Sequence, residues 1–279
     1  MKFCLCFFLA LVVPALAAPQ SETLPVHNLR QLVERQNALL ASAAKAGPGF
    51  DKADYKMQLE QVCAGYDSLL RENPNFAAGY ASYGYLLSKV GMDKEAAEAL
   101  LKANQLDPDI PMVKNQLGNY LAEQGKPLEA VSYYLAAIKL APTEPLYHYQ
   151  LGTLLYEARD DFIKSGDWTR ASVDHAMHEA FRQAAELAPD EFAYAYRYAE
   201  SFADVENPDW EGALKAWGAL EEKARTPVER QVMRLQAANV FLKLGKPDQA
   251  RVLLNTVTEP ELAKQKEKLV ALLPADSGK

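Results

Sequence analysis

Two histidines three residues apart, His175 and His178 in the run DHAMHE, carry the sharpest chemical signal in the sequence. On a helix that spacing sets both rings on one face. A partner helix bearing Asp160 and Asp161 would complete a zinc site if the donors converged at about 2 Å. The competing reading is structural, with one histidine at the tip of a hairpin and the other packed inside it, and it is the one we take: no metal, cofactor or catalytic residue is expected. No glycine-rich phosphate loop, zinc-protease helix or serine elbow occurs in the chain. Trp168, Trp210 and Trp217 invite a sugar-platform reading but read as core. Cys63, in LEQVCAGY, sits on an apolar helical face as a small hydrophobe.

The elements that must position these residues are read from residues 77–110 and 111–144, two 34-residue blocks that lie over each other. Tyr83-Gly84, Gly91, Ala96, Leu100, Ala103 and Pro108 in the first match Leu117-Gly118, Gly125, Ala130, Tyr134, Ala137 and Pro142 in the second. Small residues at Gly84, Gly118, Ala96 and Ala130 let two helices approach closely. Gly91 and Gly125 stop the first helix of each pair, since glycine takes a left-handed conformation cheaply. Proline ends the second by barring its predecessor from the α region. Apolar positions recur at helical spacing between these marks.

This pattern resembles the tetratricopeptide repeat in period and in its Gly, Ala and Pro positions. The resemblance implies an all-α fold, a right-handed α-solenoid of stacked antiparallel helix hairpins. About six pairs are expected, followed by a C-terminal capping helix. Residues 18–75 form an N-terminal helical region with a divergent first hairpin, divergent because a terminal repeat packs on one neighbour only. The repeat array covers 76–258. Within it, the third block begins at Pro145 and ends thirteen residues late, at Pro189. The surplus is read as an extended hairpin, 145–188, projecting roughly 10 Å beyond its neighbours. Asn207-Pro208-Asp209 is expected to open the next second helix, as cap and first-turn proline. Residues 260–273 read as one amphipathic helix within a cap-and-tail segment, 259–279.

The chain has 279 residues, 49% of them hydrophobic, and a formal charge of -7. That acidity argues against nucleic acid or an anionic membrane as the main partner. Residues 1–17 read as a secretory signal, with Lys2, an apolar run and the small residues Ala15 and Ala17. Cleavage would remove Cys4 and Cys6, leaving Cys63 without a partner for an internal disulfide. It would also remove Lys2 and no acid, taking the charge from -7 to -8. The expectation is an exported protein, periplasmic or secreted, with no membrane insertion once the signal is gone.

The resemblance also implies where binding occurs. In this family, block positions 2, 5, 9 and 12 of the first helices line a concave groove. Carried over, they give Tyr85, Met112, Asn115, Asn119, Tyr149, Thr153, Tyr156, Tyr196 and Glu200, with Arg197 beside them. An aromatic and amide-rich lining suits an extended peptide, because asparagines can pair with its backbone and tyrosines offer flat platforms. Relatives that clamp a C-terminal carboxylate have lysine at position 5 and asparagine at position 9. The pairs here are Ala81/Tyr85, Asn115/Asn119, Tyr149/Thr153 and Tyr196/Glu200, so the cation is missing. The implied function is a non-catalytic protein-binding scaffold, adaptor or assembly factor of the cell envelope. The alternatives are a structural protein self-associating through the 145–188 hairpin, or a helical metal-dependent enzyme.

Overall fold

The computed structural model describes residues 23–45 and 50–274, so the signal reading of residues 1–17 lies outside the described residues. Among those described there are fourteen α-helices, one 3₁₀ turn and no strand. They fall into two compact units, one ending at Gly79 and the other beginning at Tyr80.

In the first unit, α1 (Leu24–Ala44) pairs with α2 (Lys52–Glu72). Asp51 caps α2 by accepting from the amides of Ala53 and Asp54. Leu32, Leu39, Val62, Tyr66 and Leu69 are buried. A Cβ on Gly65 would stand 2.5 Å from Leu32 Cδ2, so the missing side chain is what admits that leucine. The pair also buries a polar contact, with Tyr66 Oη donating to Gln36 Oε1 at 2.7 Å. Cys63 is half-buried.

The second unit starts within α3 (Ala77–Lys89) and continues with α4 (Asp93–Leu106), α5 (Pro111–Glu123) and α6 (Pro127–Leu140). Three hairpins are locked by a large side chain of the second helix pressed onto a glycine of the first. A Cβ would lie 2.7 Å from Leu100 at Gly84, 2.9 Å from Tyr134 at Gly118, and 2.8 Å from Phe181 at Gly152. The turn glycines Gly91, Gly125, Gly166 and Gly245 have φ of 78°, 69°, 84° and 66°. At three of them the next amide bonds back five residues, Met92 to Leu87, Lys126 to Leu121 and Lys246 to Phe241, each at 2.9 Å. That bond closes the helix end and turns the chain into its partner.

The third hairpin departs from expectation. α7 (Pro145–Glu157) stops at Ala158 at the same thirteen residues as α3 and α5. The surplus forms a separate short helix, α8 (Arg159–Ser165), before α9 (Arg170–Leu187), which Thr169 and Ser172 cap reciprocally. The break has a physical reason. It carries Phe162 into the core with Leu155, Met177 and Phe181, against the edge of Trp168, and brings Arg159 to the buried Asp174 at 2.9 Å. A straight extension would leave both unpacked, so the expected projecting arm is replaced by a folded-back one.

α10 (Phe192–Ser201) pairs with α11 (Trp210–Lys223), and α12 (Pro227–Lys243) with α13 (Pro247–Asn255). The cap of α11 is Asp209, accepting from Gly212 N at 2.9 Å. Asn207 and Pro208 thus precede the helix instead of opening it. The C-terminal segment is likewise two pieces, a 3₁₀ turn at Pro260–Leu262 and then α14 (Ala263–Val270). The tighter turn aims Leu262 into the core formed by Leu235, Ala238, Ala250 and Leu254.

Candidate protein-binding surface

The residues expected on the binding face do not share one fate. Block position 5 points at the next hairpin: Ala81 is buried, Asn115 is 1% exposed, and Tyr149 packs against Phe181 and, at 4.9 Å between ring centres, Tyr194 of α10. Asn115 is therefore no surface amide, and its Oδ1 has no hydrogen-bond partner among the described residues. Asn119 is half-buried and accepts from Tyr134 Oη at 2.7 Å. Met112 packs beside Val113 and Leu117. Tyr85 is half-buried, with Lys89 Nζ 5.3 Å from its ring centre, and Thr153 Oγ1 donates to the Tyr149 carbonyl.

The other four converge. Tyr156 at the end of α7, and Arg197 and Glu200 on α10, line a cavity of about 300 Å³ together with Asp204, Trp210, Trp217, Gln236 and Asn239. Tyr196 backs it, its ring meeting Trp217 edge-on at 5.2 Å. Tyr156 is 42% exposed, so it remains open to a ligand. Arg197 Nη1 donates to Asp204 Oδ2 at 2.8 Å, and its guanidinium lies 4.3 Å from the Tyr156 ring centre and 4.5 Å from that of Phe181. Glu200 Oε2 is 3.8 Å from the same Nη1, beyond hydrogen-bonding reach. Burial raises the Glu200 pKa above the usual carboxylate value; Arg197 opposes the shift and Asp204 adds to it.

A buried ion cluster holds this wall in place. Asp174 accepts from Arg170 Nε at 2.8 Å and from the Glu206 amide at 2.8 Å, while pairing with Arg159. Arg159 Nη2 also donates to the Asp204 carbonyl at 2.9 Å. The 202–209 segment that carries Asp204 is thus tied to α8 and α9.

Of the histidine pair, His178 is spent on packing and His175 is exposed. His178 Nδ1 lies 2.8 Å from Ser201 Oγ, and its ring meets Phe202 edge-on at 4.4 Å. Burial chiefly lowers its pKa. Asp160 and Asp161 are exposed on α8, and among the described residues no three His, Cys, Asp or Glu side chains are grouped to hold a metal ion.

Sequence reasoning missed Asp204, Gln236 and Asn239, and it placed Trp210 in the core. Gln236 and Asn239 are three apart on α12, so their shared face was a readable signal.

Paired helices closed by a glycine contact and a left-handed turn, repeated along the chain, define a helical-repeat protein. Residues 77–110 and 113–144 match the tetratricopeptide repeat model, so this part of the chain is built of tetratricopeptide repeats. No curated protein matches it in sequence. Among solved structures it is similar to YrrB, a tetratricopeptide protein with an unusual peptide-binding site, at 18% identity over 73% of this chain and 97% of that one, TM-score 0.59. It is also similar to PilF of Pseudomonas aeruginosa, at 16% identity over 86% and 99%, TM-score 0.54. PilW, a type IV pilus biogenesis factor, aligns at 12% identity over 86% and 99%, TM-score 0.54. At these identities the likeness is one of fold.

Proposed function

We propose that the chain is a non-catalytic scaffold or adaptor of the cell envelope that holds a partner polypeptide along the first-helix face of the second unit, with the cavity at Tyr156, Arg197 and Glu200 as its anchor point. The observation that carries this reading is the convergence of Tyr156, Arg197 and Glu200, residues from two successive hairpins, on one open cavity walled by tryptophan. Aromatic anchors in pockets dominate protein recognition. The peptide-binding and pilus-assembly roles carried by YrrB and PilW support the same class of function. Export is proposed on the pattern of residues 1–17. The self-associating alternative rested on a projecting arm, and with Phe162 buried that arm is folded onto the core.

The test is an array of overlapping peptides from envelope proteins probed with the purified chain. Binding is expected, and Tyr156→Ala should reduce it without moving the melting temperature. A variant that captures the same peptides with the same strength would remove the cavity from the binding surface.

A further inference from the structure

The cavity holds one cation and two carboxylates, and only one of those carboxylates is answered. Asp204 takes the short bond from Arg197 Nη1 at 2.8 Å, which leaves Glu200 at 3.8 Å from the same nitrogen. The other end of the guanidinium does not offer itself to a ligand. Arg197 Nη2 is buried without a hydrogen-bond partner among the described residues, and the group lies against the Tyr156 and Phe181 rings. Accessibility follows the same order: the side chains of Glu200, Asp204 and Arg197 are 41%, 22% and 15% exposed. An entering group therefore meets negative charge first. It also meets the indoles of Trp210 and Trp217, which attract cations, and the amides of Gln236 and Asn239, whose oxygens accept hydrogen bonds. A volume of about 300 Å³ is at the small end of ligand sites, the scale of one long side chain.

We propose that this cavity receives a cationic side chain, arginine or lysine, of the bound polypeptide, with Glu200 as counter-ion, Asp204 as second acceptor and the tryptophans covering the aliphatic stem. The proposal rests on the reading of this face as a polypeptide-binding surface. The raised Glu200 pKa agrees with it, since a half-desolvated carboxylate gains most from a cation brought to it.

The test presents the purified full chain with short blocked peptides of otherwise random sequence whose central residue is arginine, lysine, citrulline, norleucine or glutamate. Citrulline keeps the shape of arginine and removes its charge. The arginine or lysine set should bind about tenfold or more tightly than its neutral counterpart, with the glutamate set weakest. Glu200→Gln should erase that preference, and Glu157→Gln, outside the cavity, should keep it. Asn239→Lys, which supplies the cavity with a cation of its own, should erase it by a route that leaves Glu200 untouched. Capture without preference for a cation, a preference for glutamate, or a wild-type profile in both cavity variants overturns the inference and leaves the peptide-binding reading standing. Absence of capture in every set overturns the peptide-binding reading itself, and the inference with it.

Discussion

Replacing Gly152 by alanine tests the glycine packing that closes three of the hairpins, because a second glycine supplies the control. The new Cβ would stand 2.8 Å from both Cδ1 and Cε1 of Phe181 and 3.0 Å from Cζ. That ring is fully buried among Leu155, Phe162 and Met177, and a rigid ring cannot bend its edge away. Overpacking of this kind costs about 1–3 kcal/mol. Against it, alanine gains about 1 kcal/mol of helix propensity over glycine, so the net effect should be a loss of about 0–2 kcal/mol. Gly218 lies in α11 with nothing within 4 Å of its Cβ position, so Gly218→Ala keeps the propensity gain alone and should stabilise by about 1 kcal/mol. Urea unfolding of the two full-length variants beside the parent should separate them by about 1–3 kcal/mol, the packing contribution by itself. Equal stabilisation of both would refute the claim that Phe181 occupies the Gly152 notch.

Asp174→Asn should destabilise by about 3–5 kcal/mol, since it leaves the largely buried Arg159 without its counter-charge. Glu129→Gln, which removes an exposed pair with Lys126, should change stability by less than about 1 kcal/mol in the same denaturation assay. His178 titrates below its ordinary value of 6.5, chiefly through burial, so the unfolded chain takes up this proton first. Its contribution to stability is therefore full above pH 6.5 and is lost as pH falls toward the folded value, levelling off below it. His178→Gln should flatten that part of a stability-against-pH series, and an unchanged slope would show that the ring is not held neutral. Mass measurement of the protein purified from its native cells should find Ala18 at the N-terminus, whereas an intact Met1 would refute cleavage after Ala17.

The repeat was legible wherever one residue type alone could satisfy the backbone or the packing. Gly91 and Gly125 were readable because a left-handed turn favours glycine, and Gly84 and Gly118 because any larger residue would strike Leu100 or Tyr134. What could not be read depended on the neighbouring hairpin. Asn115 and Asn119 carry the same side chain four residues apart, yet one is sealed and the other reaches Tyr134, because position 5 faces the next pair. The insertion after α7 had the composition of a continuous helix. Only the buried partners waiting for Phe162 and Arg159 make the bend favourable. Gln236 and Asn239 enter the cavity through α12, whose block has no glycine at its close approach to fix the register.

The most direct test places a photo-crosslinking side chain at Tyr156 in the protein produced in its native cells, with controls at the exposed outer residues Leu128 and Leu135. Illumination should join position 156 to a polypeptide, and added arginine-containing peptide should compete the product away while neither control yields it. Crosslinks confined to Leu128 and Leu135, or a product at 156 indifferent to competitor, would contradict a binding cavity at this place.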